Sequence, residues 1–413
     1  MLSEGLNMLR GGKRARSGAL SIIFNNTDCF TTGGHNMLNT TCRRTTWRAA
    51  AALFMAFVMI AALLSGCKNN KPEKGELITA SPAGGASVPI LSEVIRSYYL
   101  EYEGPETADK FSNGRENYYP APAVLTWECA KAADYYIVGV SETKDIELEG
   151  SEGTQYFVTV QESVSVPDLF AGKKYYYRVF AVSGSEVLAS VVFSFTTEDY
   201  RRTVIVDGVS NTRDLGGAKT MNGKRIRQGI VYRGAAIDGI TAQGRVDFLE
   251  KLGIKTEIDL RTGTELSPVR NDINVVSVKA PMYVYNDMGI EQPDYQPELA
   301  REIKTFADPD NYPIYFHCAI GRDRTGTLAC FIELLLGVSE EDIKKEYVLS
   351  FLSSAGFADG VVSPSGHVAN IENIFNYLKA YDKGSLYKNT EKFVMDIGVT
   401  REEINAIRAN MLE

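Results

Sequence analysis

The stretch that most limits this chain runs from Pro313 to Gly337, "PIYFHCAIGRDRTGTLACFIELLLG". Strand-forming residues lead to His317, Cys318 follows, and a loop with Gly321 and three charged residues gives way to an apolar helix. Five residues separate Cys318 from Arg324, so the two side chains hang from opposite ends of one tight loop. A loop that closes onto a helix N-terminus aims successive N–H groups inward and makes an anion cradle. The same field favours thiolate over thiol, and such surroundings lower a cysteine pKa to about 3.5–7.5. An arginine fork matches phosphate geometry where lysine offers a point charge, and Gly321 permits a turn that a Cβ would resist. The residues alone describe a phosphate-ester site with a sulfur nucleophile. Its walls are the backbone of Ala319, Ile320, Gly321 and Arg322.

After Tyr200 strands and helices alternate. Strands are expected at "TVIVDG", "IVYRG", "KTEIDLR", "NVVSVKAP" and "PIYFH", and helices from Thr241 to Leu252, closed by Gly253, and over 297–306. Ser339 with Asp342, and Thr400 with Glu403, mark helix starts by a capping hydroxyl and an acid three residues on. This pattern predicts an α/β domain over residues 203–413.

The N-terminus has a different character. Arg43, Arg44 and Arg48 precede the apolar run "AAAALFMAFVMIAALL", and Ser65-Gly66-Cys67 and a polar stretch follow. That is a positive region, an apolar region and a small-residue stop, the order of an export signal, and the run is short of the ~20 residues a membrane span needs. Leu64-Ser65-Gly66-Cys67 resembles the lipobox of bacterial lipoproteins, which implies acylation of Cys67. An uncleaved anchor helix is the alternative. Residues 1–66 are thus a signal region, with Met37 the expected start, and 67–79 a tether. With Cys67 acylated and Cys29 and Cys42 removed, Cys129, Cys318 and Cys330 remain, an odd set that argues against a disulfide framework.

Between tether and α/β domain the chain reads as short strands: "VLTWEC", "DYYIVGVS", "TQYFVTV", "KYYYRVFAV" and "VVFSFTTE", separated by turn residues. Residues 77–120 carry Pro and Gly punctuation and no clean helical period. Trp127, the Leu169–Tyr175 pair and the closing "FSFTT" resemble a fibronectin type III domain over 80–198. The chain is therefore read as multi-domain, with an all-β immunoglobulin-like sandwich before the α/β domain. The sandwich is expected to act as a spacer, with contact to a glycan or protein the alternative.

"HCAIGRDRTG" is similar to the signature of cysteine-dependent protein tyrosine phosphatases, and "NTRDLGG", "VYRGAAI", "EIDLRT" and "EDIKKEYVLSF" resemble, in order, a bacterial branch of tyrosine and phosphoinositide phosphatases. The resemblance implies that Cys318 attacks phosphorus, Arg324 holds the equatorial oxygens, His317 orients the loop and Thr325 donates a hydrogen bond to the leaving sulfur. It makes Asp323, inside the loop, the general acid, with Asp287 in "YVYNDMG" as the alternative. Arg322 stands where that branch has lysine and keeps a positive charge at the mouth. Arg213 and Asp214 brace the loop or line the site, and Asp259 and Arg261 form an internal ion pair.

The expectation is an exported, lipid-anchored phosphatase of the cell envelope acting on phosphotyrosine, possible phosphoserine or phosphothreonine included, without cofactor or metal. Phosphoinositides or inositol phosphates are the alternative substrates. A rhodanese-like sulfurtransferase fits the spacing to Arg324 less well, and an inactive surface binding protein fits poorly with an intact Cys318 and Arg324. Only three histidines, His35, His317 and His367, are scattered along the chain, which argues against a histidine-rich metal centre. A net charge of -8 with no dominant basic face argues against nucleic acid as a partner.

Overall fold

A computed structural model describes residues 22–24, 78–263, 266–278, 290, 293–357 and 364–413. Cys67 and Asp287 lie outside the described residues, as does the apolar run before Cys67. Among the described residues no helix is long and apolar enough to cross a membrane.

Two compact units are present. The first holds the described residues up to Ser87, with Val124–Ser165 and Lys174–Thr196. Five of its strands, Ala123–Cys129, Tyr135–Ser141, Gln155–Thr159, Lys174–Ser183 and Phe193–Thr197, fall where alternation placed them; Ile78–Ser81, Ala86–Val88, Ser163–Val166 and Glu186–Ala189 are further strands that the sequence did not mark. One sheet runs Ile22–Phe24, Gln155–Thr159, Tyr135–Ser141, Lys174–Ser183, Phe193–Thr197, Ala86–Val88, with Glu186–Ala189 paired to Lys174–Ser183. A three-stranded sheet runs Ile78–Ser81, Ala123–Cys129, Ser163–Val166. Along Ala123–Cys129 burial alternates strictly, so Leu125 and Trp127 face inward while Val124, Thr126 and Glu128 face out. The Trp127 ring meets Tyr136 edge-on, with centroids 5.2 Å apart.

The second unit comprises Val88–Ala123, Val166–Lys173 and Thr197–Glu413. Its sheet has five strands: β1 (Arg213–Asp214), β2 (Val231–Gly234), β3 (Thr256–Asp259), β4 (Asn274–Ser277) and β5 (Ile314–His317). They lie in the order β1-β2-β5-β3-β4, with β2, β5, β3 and β4 parallel and β1 antiparallel at one edge. Every residue of β5 is buried, as a central parallel strand covered on both faces must be. The loop that carries Cys318 leaves the C-terminal end of this central strand, where ligand crevices of parallel sheets form.

Its helices are α1 (Glu93–Glu101), α2 (Thr107–Phe111), α3 (Ala242–Val246, continued by a π turn over Asp247–Lys251), α4 (Gln296–Thr305), α5 (Asp323–Leu336), α6 (Glu340–Val348), α7 (Pro364–Tyr381), α8 (Leu386–Asp396) and α9 (Arg401–Met411). Ser339 caps Asp342 N–H, and Thr400 with Glu403 forms a complete capping box. Of the fourteen residues of α5 only Arg324 is not buried, so the helix that closes the loop is held rigidly inside the core.

Two expectations change. The segment 88–123, placed by sequence in the sandwich, belongs to the second unit and contains α1 and α2. Ser92 caps Ile95 N–H, and Leu91, Ile95, Tyr98, Ala108 and Tyr118 join the core that also holds α5. The Pro and Gly around these short helices obscured a stripe in which Ile95 and Tyr98, three residues apart, face inward. Nor is "TVIVDG" a strand. A turn in which Val209 N–H donates to Val206 O reverses the chain, leaving isolated bridges such as Thr203 to Arg213.

Candidate active site

The carbonyl oxygens of the loop explain its shape. His317 Nδ1 lies 3.1 Å from Cys318 O, and Ala236 N–H donates to Ala319 O at 3.1 Å. Asn211 Nδ2 donates to Ile320 O at 2.9 Å. Arg233 Nη2 donates to Gly321 O at 2.9 Å and to Arg322 O at 3.3 Å. The C=O and N–H of a trans peptide unit point opposite ways. Holding these carbonyls from outside therefore turns the amides of Ile320, Gly321, Arg322 and Asp323 to the concave side. Gly321 has φ +73°, and a Cβ there would lie 2.3 Å from the backbone of Gly234, so glycine is obligatory at this position.

Cys318 sits at the base of this hollow, 2% exposed. Burial alone pushes its thiol pKa up. The Thr325 hydroxyl and amide, the charge of Arg324 and the Gly321 amide outweigh burial, and the thiol ionises below the ordinary cysteine value. Arg324 Nη1 donates to Leu260 O at 2.9 Å, which holds one arm of its guanidinium. Ala319 is exposed and Ile320 and Arg324 half-buried, so the hollow opens on that side.

The holders are fastened in turn by one buried carboxylate. Glu346 accepts from Arg213 Nε through Oε1 and from Arg233 Nη1 through Oε2, each at 2.6 Å, and none of the three is exposed beyond 2%. Arg213 also donates to Asn211 Oδ1 at 2.6 Å and to Ser350 Oγ at 2.8 Å. Asn211 adopts φ +60°, a left-handed conformation that asparagine tolerates better than most residues.

Of the expected site residues, the structure gathers His317, Cys318, Ala319, Ile320, Gly321, Arg322, Asp323, Arg324 and Thr325 in this one loop and the start of α5. Arg213 and Asp214 do not line the hollow. Arg213 braces it through Asn211, and Asp214 is buried against Arg202 Nε at 3.0 Å and the amides of Gly216 and Gly229. Arg322 is likewise 4% exposed rather than a charge at the mouth. Its Nε donates to Asp323 Oδ1 at 3.0 Å, its Nη1 to Gly356 O at 2.7 Å, and its guanidinium lies over Phe351. Asp323 also accepts from the Tyr347 hydroxyl at 3.0 Å. The Asp259–Arg261 ion pair forms, with Arg261 Nη2 2.8 Å from Asp259 Oδ2.

Glu257, Asp259 and His317 carry metal-ligand atom types within 4.8 Å of one another. Glu257 and His317 bond each other at 2.8 Å and Arg261 covers Asp259, so what these groups hold is one another. Reading the sequence missed Asn211, Arg233, Glu257, Glu346 and Tyr347 as working groups. All five lie inside the recurrent motifs, but the partners that reveal their roles are remote in sequence.

Residues 204–413 match the family described as the tyrosine phosphatase family. A Cupriavidus necator protein that carries the inferred name tyrosine-protein phosphatase is 27% identical over 186 residues, covering 38% of this chain. The chain spans 66% of that relative's length. Two solved structures of the catalytic core of the PP-IP phosphatase Siw14, one from S. cerevisiae with citrate, are each 21% identical, cover 39% of this chain and 86% of their own, and give TM-scores of 0.26 and 0.27.

Proposed function

The chain belongs to the tyrosine phosphatase family, and from that premise we propose that it hydrolyses phosphomonoesters, phosphotyrosine first among them, through a cysteinyl-phosphate intermediate. The observation that carries this reading is the pairing of a low-pKa Cys318 with a loop whose carbonyls are all drawn away from it. Such a hollow stabilises a thiolate and a phosphate dianion alike.

The Cys318 sulfur attacks phosphorus, the P–S bond forms and the P–O bond to the leaving group breaks. Asp323 gives its proton to the departing oxygen. Water then attacks the cysteinyl phosphate, Asp323 takes up a proton from it, the P–S bond breaks and inorganic phosphate leaves. The Thr325 hydroxyl and amide, which favour the thiolate, stabilise the sulfur that departs. Arg324 and the loop amides take the charge on the equatorial oxygens in both steps.

Arg322 bears on substrate. Its charge would suit a polyanion at the mouth, but its guanidinium is directed to Asp323 and Gly356, which favours a simple aryl monoester over a phosphoinositide. Export, a lipid on Cys67 and a fibronectin type III-like spacer complete the reading, on the signal pattern and strand alternation of the sequence.

Hydrolysis of an aryl phosphate by wild type and Cys318→Ser tests the activity. Loss in the variant, with a phosphorylated wild-type intermediate trapped in acid, is the expected result. Full activity in the serine variant would refute the nucleophile.

A further inference from the structure

Beneath the nucleophile lies a group that the reaction steps above do not use. Glu257, on β3, is fully buried, and its two oxygens have different partners. Oε1 lies 2.8 Å from His317 Nε2, and Oε2 accepts from Ser267 Oγ at 2.5 Å. The Ser267 oxygen itself accepts from Val269 N–H at 3.2 Å, which leaves its proton for Glu257. Across the ring, His317 Nδ1 faces the Cys318 carbonyl at 3.1 Å.

A neutral imidazole carries one N–H, whereas here a carbonyl and a carboxylate, both acceptors, face its two nitrogens. Only the doubly protonated ring satisfies both. The proton resides on the imidazole rather than on Glu257 because Oε2 already receives the Ser267 hydroxyl, and because a second carboxylate, Asp259, faces the same ring. The other neighbours do not cancel this. Asp259 is held by Arg261, Tyr315 on the same strand donates its phenol to Ala235 O at 2.7 Å, and the register partner on β2 is Gly234. Burial alone lowers the imidazole pKa. The bond to and charge of Glu257, then the charge of Asp259 and the Cys318 carbonyl, raise it above its ordinary value.

We propose that Glu257 is a positioning residue of this site: its carboxylate keeps His317 as an imidazolium that clamps the Cys318 carbonyl and places a fixed cation one residue from the nucleophilic sulfur. Leu260 N–H donates to His317 O at 2.9 Å on the same side, so strand end and ring together set the direction of the Cys318 side chain. The role rests on the proposed nucleophile, since it acts through the Cys318 thiolate.

Two measurements on the full chain test it. In 15N-histidine-labelled wild type, with His35→Gln and His367→Gln proteins used for assignment, both ring nitrogens of His317 are expected in the protonated range at pH 7.5. A pyridine-type nitrogen there would overturn the proposal, whatever the variants do. Second, iodoacetamide alkylation of Cys318 is followed from pH 4 to 9 in wild type and Glu257→Gln. The midpoint of the alkylation profile should lie about 1 pH unit or more higher in the variant, because loss of an opposite charge within ~4–6 Å moves a pKa by about that much. The acid limb of kcat/KM should move up with it. Identical alkylation profiles in a folded Glu257→Gln protein would overturn the proposal. If that variant does not fold, the wild-type spectrum decides. Failure of the nucleophile reading shows separately, as activity retained by Cys318→Ser.

Discussion

The Tyr347 hydroxyl and the Arg322 Nε both donate to one oxygen of Asp323, Oδ1, each at 3.0 Å. Asn370 Nδ2 in turn donates to the Tyr347 oxygen at 3.2 Å. A residue from α6 and one from α7 thereby orient a carboxyl at the first turn of α5.

That geometry sets a leaving-group test. Asp323→Asn should slow hydrolysis of alkyl phosphates by about 10²–10⁴-fold, the usual worth of a positioned general acid, and slow nitrophenyl phosphate much less. Tyr347→Phe should move both in the same direction by a smaller factor, since the proton donor remains. Equal losses on both substrates in Asp323→Asn would make Asp323 a structural residue only.

Gly321→Ala should abolish turnover. At φ +73° any side chain is strained, and the added Cβ would meet Gly234 backbone at 2.3 Å. A variant that folds, by its circular dichroism, and retains wild-type kcat would show that the loop does not need this turn.

Glu346 links stability to acid pH. Burial would raise its pKa, but Arg213, Arg233 and Arg201 hold it at about 2, below the ordinary 4.5. A depressed carboxylate stabilises the fold fully above pH 4.5 and loses that contribution as pH falls towards 2. Glu346→Gln, which leaves two buried arginines under-paired, should cost about 3–5 kcal/mol at pH 7 and progressively less towards pH 2. Urea unfolding at pH 7 and pH 3 measures it, and equal midpoints for the two proteins at pH 7 would sink the idea.

Glu302 has the opposite sign. Buried on α4, with no hydrogen-bond partner for Oε1 among the described residues, it is raised to about 8 by burial and then by Glu298. Its stability contribution is complete below pH 4.5 and declines as pH rises through 8, at about 1.4 kcal/mol for each pH unit between the two values. Glu302→Gln should therefore raise Tm by several degrees at pH 8.5 and leave it unchanged at pH 4. A lower Tm at pH 8.5 would show that the ionised carboxyl has a partner.

The local chemistry of the site was legible without coordinates. Cys318, Gly321, Arg324 and Thr325 lie within eight residues of one another, and a strand, a loop and a buried helix in that order leave few ways to place them. The strands at Val231–Gly234, Thr256–Asp259 and Ile314–His317 and the caps at Ser339 and Thr400 were equally local, because period and capping act over a few residues. Tertiary structure decided how the loop is held open. Glu257 reaches His317 across 60 positions, Arg233 reaches Gly321 across 88, and Arg213 reaches Glu346 across 133. It also turned Arg322 inward and enlisted residues 88–123 in the catalytic core. Side-chain partners brought together by chain folding leave no periodicity in either segment, so no reading of residues in order could have paired them.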